Sequence, residues 1–128
     1  MESKIIKIKR YDPEMVKAHP NHLFIFGCNC LKKGTGGQAI IRYCQNAYGI
    51  PTKKLPSQMP NSYFSDNDYE SNTQKIKEAI DNIPSNYEYI VFPEDGLGTG
   101  LAQLPTRAPR TYKFLVDYLN SKFENIYE

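Results

Sequence analysis

Two apolar runs, each followed by a cluster of glycines, set the pattern of the chain. Leu23 to Phe26 contains no polar residue and predicts a buried strand, and Gly34, Gly36 and Gly37 then form a loop with almost no side chains. Beyond that loop, Ala39, Ile40, Ile41, Tyr43 and Cys44 fit one face at helical spacing and predict an amphipathic helix. Tyr87 to Phe92 repeats the strand, and Gly96, Gly98 and Gly100 repeat the loop. Lys4 to Lys9 alternates basic and apolar residues, as a strand with one wet face at or near a sheet edge does. Asp12 before Pro13 predicts the N-cap of a short helix through Lys17. Asn46 to Thr52 reads as a short strand that ends where Pro51 interrupts pairing.

The second half follows the same logic. Lys53 to Asp68 is a loop by its prolines, serines and asparagines, with Tyr63 and Phe64 read as core plugs in preference to a lid over a ligand site. Ile76, Ala79, Ile80 and Ile83 mark a helix from Tyr69 that ends by Pro84. Tyr112, Leu115, Val116 and Leu119 mark a helix over Pro109 to Phe123, and the tail Asn125 to Glu128 adds a short edge strand or frays. These elements predict one α/β domain over residues 1–128, a three-layer α/β/α sandwich with a mixed central sheet. Both glycine loops then emerge at the carboxyl ends of their strands, on one edge of a single cleft. Free backbone N–H groups in such loops favour an anionic ligand, phosphate or diphosphate above all.

Composition narrows the class. With 128 residues, 40% hydrophobic and 23% charged, the chain has room for one core and no second domain. Its net charge of +2, from 16 basic and 14 acidic residues, is too balanced to argue for nucleic acid as an obligate partner. The longest apolar runs are four to five residues, so neither a membrane span nor a signal peptide is expected, and the expected location is cytoplasmic. Cys28, Cys30 and Cys44 are an odd number and predict free thiols. A metal site would recruit Cys28, Cys30, His19 and His22, but a lone C-x-C does not match a structural zinc spacing, so no metal is assigned. No cofactor is assigned.

The two loops carry a family resemblance. Asn29, followed at fixed spacing by Gly36, Gly37 and Ala39, is similar to the first ligand loop of macro domains. Gly98, Thr99, Gly100, Leu101, Ala102, Gln103, Leu104 and Pro105, with Ala108 beyond, resemble in register that family's second, diphosphate-holding loop. The match covers roughly half the chain and is nearest in style to compact bacterial and bacteriophage macro-like proteins. It implies binding of ADP-ribose or a derivative, free or attached to a protein or nucleic acid. The ligand-binding set it implies is Asp12, Asn29, Gly34, Thr35, Gly36, Gly37, Gln38, Asp95, Gly96, Gly98, Thr99, Gly100 and Leu101.

Chemistry is harder to assign than binding. Many macro-domain hydrolases place an Asp just after the first glycine run, where this chain has Gln38, Ala39 and Ile40. The remaining catalytic candidates are Asp95, Lys32 and Glu94, with Asp95 first because it stands at the mouth of the second loop. Asp95 also has a plain reading as an Asp-Gly turn former. Lys32 and Lys33 either neutralise a diphosphate or are solvated loop lysines. Cys28, beside Asn29, is read as a small buried residue before a nucleophile, since neither histidine is placed to serve as its base. A binding module therefore stands first and an ADP-ribosyl hydrolase second. A dinucleotide oxidoreductase lacks both the downstream acidic residue and the length for a substrate domain.

Overall fold

The computed structural model describes residues 3–127. Four strands, β1 (Lys4–Ile8), β2 (His22–Asn29), β3 (Ala47–Lys53) and β4 (Tyr89–Pro93), alternate with helices α1 (Pro13–Ala18), α2 (Tyr69–Asp81), α3 (Leu104–Arg107) and α4 (Pro109–Lys122). Short 3-10 turns occupy Gly37–Ile41, Pro60–Ser62 and Asp66–Asp68. The strands form one sheet in the order β1-β4-β2-β3. Every pairing between them is parallel. The expectation of a mixed sheet is thus corrected: each strand is reached by a crossover, and no hairpin joins neighbours.

Burial explains the apolar runs. Along β2, Leu23 and Ile25 face one cluster while Phe24, Phe26 and Cys28 face another, so the strand is covered on both sides. On β4, Ile90 and Phe92 divide from Val91 in the same way. The larger cluster joins these residues to Ile76 and Ile80 of α2 and to Leu115 and Leu119 of α4. The smaller one joins them to Val16 of α1 and to Ala39 and Ile41 of the first 3-10 turn. Phe64 belongs to the larger cluster and Tyr63 is buried, so the aromatic pair plugs the interior and forms no lid.

Three local expectations change. The helix after the first glycine loop is a five-residue 3-10 turn, with Ala39 and Ile41 buried but Ile40 and Tyr43 exposed, because β3 begins at Ala47 and leaves no length for more turns. Pairing of β3 continues past Pro51, opposite Cys28, with an irregularity in register at Cys28 and Asn29. A proline is tolerated there because β3 is an edge strand. The tail forms no edge strand over residues 125–127. Ile126 is buried in the core, the Tyr127 hydroxyl donates to the Pro93 carbonyl at 2.6 Å, and Glu128 lies outside the described residues.

Candidate functional site

The carboxyl ends of β1, β2 and β4 lie at one end of the sheet, and the chain leaving each of them lines one cleft of about 650 Å³. Lys9 to Asp12, after β1, form one wall. Gly36 to Ile40 form a second, and Asp95 to Ala102, after β4, form the third. The two glycine loops touch. A Cβ at Gly36 would lie 3.0 Å from Leu101 Cδ1, and one at Gly37 would lie 3.5 Å from the same atom. Leu101 therefore rests on the glycine pair with 59% of its surface still open to solvent.

The second loop is tightly specified at its base. Gly98 has φ +77°, and a Cβ there would fall 2.9 Å from Leu104 Cβ and 3.2 Å from Thr52 Cβ, so only glycine lets the loop fold down over β2 and β3. Leu104 N–H donates to the Gly98 carbonyl at 2.8 Å, and Glu94 N–H donates to the Ile8 carbonyl at 3.0 Å, pinning the loop at both ends. Between those pins, the N–H groups of Thr99, Gly100 and Leu101 donate to no protein group among the described residues. A Cβ at Gly100 would meet nothing within 4 Å. The loop offers open backbone donors beside open space.

The first wall is held by a contact between distant residues. Gln38 accepts from Tyr11 N–H at 3.3 Å and donates to the Tyr11 carbonyl at 2.5 Å. Tyr11 is buried, its ring is 5.0 Å from that of Phe24, and its hydroxyl donates to the Ile25 carbonyl. Burial, reinforced by Tyr127, pushes its pKa well above the usual phenol range, so it stays protonated as a donor. Asp12 caps α1, one carboxylate oxygen accepting from Met15 N–H at 2.8 Å, and also borders the cleft. Asp95 is exposed on the opposite wall and has no hydrogen-bond partner among the described residues.

Other expected residues are elsewhere. Asn29 is buried and binds its own loop: its side-chain oxygen accepts from the N–H groups of Leu31 at 3.1 Å and Lys33 at 3.3 Å, and its amide donates to the Lys33 carbonyl at 2.6 Å. It borders two cavities behind the loop but not the main cleft. Lys32 lines an outer groove of about 670 Å³ beside β3, so it does not converge with Asp95. Gly34 borders a chamber of about 110 Å³ between cleft and groove. Thr35 and Glu94 are exposed and border none of these three spaces. The His19 and His22 rings meet edge to face where the chain enters β2, with Cys28 roughly 20 Å further along the strand from His22.

Arg42 is the residue that sequence reasoning passed over. Its guanidinium donates to the carbonyls of Gly34 at 2.6 Å and Lys33 at 3.1 Å, approaches Cys28 Sγ at 2.9 Å, and lies over the Phe26 ring at 5.4 Å. It therefore holds the first loop in shape from behind. The lone charge in the apolar run AIIRYC was the available signal. Cys28 itself is packed against Gly49, where a Cβ would come within 2.7 Å of Cys28 Cβ. Burial raises the pKa of the exposed neighbour Cys30, with Lys75 opposing it.

Fold and site together define an α/β protein with a parallel sheet and a glycine-lined cleft at the carboxyl ends of its strands. The chain belongs to a family of unknown function, DUF7831, whose model matches residues 6–118. Comparison with curated proteins and with solved structures gives no match. No helix among the described residues is long and apolar enough to cross a membrane.

Proposed function

We propose that the chain binds ADP-ribose or a nucleotide derived from it in the cleft between the two glycine loops, as a macro-like domain. The observation that carries this reading is the meeting of both loops across one cleft, with the N–H groups of Thr99, Gly100 and Leu101 free to receive a diphosphate. The cleft's 650 Å³ falls within the ~300–1,000 Å³ typical of small-molecule sites. The diphosphate lies between Gly36–Gly37 and Thr99–Leu101, which requires Leu101 to swing off the glycine pair. The second oxygen of Asp12 accepts from the adenine amino group, while the first keeps capping α1. Asn29 acts through the loop it braces.

One observation favours a second reading, ADP-ribosyl hydrolysis: Asp95 presents a carboxylate without a partner at the cleft wall. Against it, Gln38 stands where related hydrolases carry their loop carboxylate, and its amide is committed to Tyr11. Binding is therefore the conclusion. Calorimetric titration with ADP-ribose, NAD and AMP tests it, followed by incubation with an ADP-ribosylated substrate. ADP-ribose binding without release of product supports the module; no heat with any of the three nucleotides overturns it.

A further inference from the structure

The net charge of +2 conceals a strong asymmetry. The outer groove beside β3 is lined by Lys32, Arg42 and Lys75 against the single carboxylate of Glu78. The chamber that borders both it and the cleft adds Lys33 and Lys53 and no carboxylate. This one face thus carries more positive charge than the whole chain, and the rest of the molecule is net negative. The four ion pairs among the described residues use none of these five cations. Glu78 is already engaged by the Gln74 amide at 2.8 Å.

The charges are held in place and crowded. Arg42 is fixed by carbonyls, which solvate its charge without cancelling it. The Lys53 ammonium lies 4.6 Å from the centre of the Tyr63 ring, and the Arg107 guanidinium lies 3.7 Å from the same centre, two like charges on one aromatic side chain. Such crowding costs stability unless an anion relieves it. At the rim of the groove, Tyr43 keeps 79% of its surface exposed next to Arg42.

We propose that this face is a docking surface for single-stranded nucleic acid, the strand that carries the nucleotide held in the cleft. Five clustered cations against one carboxylate suit a chain of phosphates, and an exposed ring among them is a platform for a base. An acidic peptide would use the charges but leave Tyr43 without a role. A duplex is disfavoured because the face is a recess with no helix or strand projecting to enter a groove. The chamber shares Arg42, Cys28 and Asn29 with the groove, and Gly36, Thr52 and Leu101 with the cleft, so it adjoins both. Only this link to the cleft rests on the nucleotide reading; the docking surface stands on its own charges.

The test is fluorescence anisotropy with a fluorescein-labelled oligothymidylate, with an oligoglutamate of equal length in parallel and free ADP-ribose titrated separately by calorimetry. The expected result is oligothymidylate binding that weakens roughly 50-fold between 50 and 200 mM salt, as about four phosphate contacts imply. Lys75→Glu is expected to weaken it ~10-fold, and Tyr43→Ala at least ~5-fold with Tyr43→Phe restoring it. ADP-ribose affinity stays at the wild-type value in all three. Absence of oligothymidylate binding at 50 mM salt, equal binding of oligoglutamate, or indifference to both Lys75→Glu and Tyr43→Ala overturns the proposal. Oligothymidylate binding without ADP-ribose binding upholds the surface and removes the cleft reading.

Discussion

The side-chain amide of Gln38 pairs with both backbone polar groups of Tyr11, 27 residues earlier, in the manner of a neighbouring strand. This contact ties the first glycine loop to the connection between β1 and α1 and so joins two walls of the cleft. Tyr11 in turn is anchored to β2 through its hydroxyl and ring. Gln38→Ala is expected to destabilise the protein by about 1–3 kcal/mol, the usual consequence of leaving partly buried backbone groups without partners. Gln38→Glu is expected to do the same, because a carboxylate repels the Tyr11 carbonyl that the amide satisfied. Urea denaturation with an unchanged m-value reads the effect; an unchanged midpoint for both variants would show that the pairing is dispensable.

The glycines divide into those the fold needs and those only a ligand needs. Gly98→Ala forces a Cβ into Leu104 at a positive φ, and a loss of about 2 kcal/mol or more is expected. Gly100→Ala meets open space and should leave the melting temperature within a degree or two of wild type. Gly100→Glu then separates ligand from fold: the protein stays folded while a carboxylate enters the proposed diphosphate position and abolishes ADP-ribose binding. Gly37→Glu is a less clean probe, since φ +58° adds backbone strain to the charge. Wild-type affinity in Gly100→Glu would leave the second loop a purely structural role.

The readable parts of this chain were those governed by nearest neighbours. Leu23 to Phe26 announces a strand buried on both faces, Asp12 and Pro13 announce a capped helix, and both are present as read. Glycine after strand placed both loops at one end of the sheet. What failed depended on distance along the chain. The apolar run after Gly37 looked helical, yet burial alternates from Ala39 to Ile41 because a single turn must hand over to β3. Pro51 looked like a strand end, and only the strand order shows that it sits on an edge where a missing N–H is harmless. Gln38 looked like a ligand contact and does border the cleft, but its bond to Tyr11 was not foreseen. Its partner is a backbone group, which carries no sequence signal at all.

Acid sensitivity should concentrate where α2 meets α4. Asp81 accepts from the Tyr118 hydroxyl at 2.5 Å, from Lys122 at 2.9 Å and from Lys77 at 3.0 Å. The tyrosine bond first, then the two ammonium groups, hold its pKa far below the usual 3.8. A carboxylate whose pKa is lower in the folded state contributes stability that is complete above its unfolded value and is lost as pH falls below it. The melting temperature of the wild type should therefore drop more steeply between pH 5 and pH 2 than that of Asp81→Asn. Parallel curves for the two proteins across that range would show that the exposed cluster contributes nothing.

Asp95 is where binding and hydrolysis part. It stands on the cleft wall in the turn closed by Gly96 N–H and the Pro93 carbonyl at 3.1 Å, a turn whose start is tied to β1 through Glu94 N–H. A general base must reach a water aligned with the anomeric carbon, and its removal then lowers turnover ~10²-fold or more with little change in affinity. A ribose ligand or turn former behaves differently: Asp95→Ala weakens binding or stability by about 1–2 kcal/mol, and there is no turnover to lose. The second outcome is expected. Lys32 faces another cavity, Gln38 is bound to Tyr11, Asn29 is spent on its own loop, and Asp12 caps α1 with one carboxylate oxygen, so none of Lys32, Gln38 and Asn29 converges with Asp95 on a reacting atom. Single-turnover release of ADP-ribose from a labelled substrate decides the matter. Release by the wild type that disappears in Asp95→Ala, with calorimetric affinity retained, would make the protein a hydrolase.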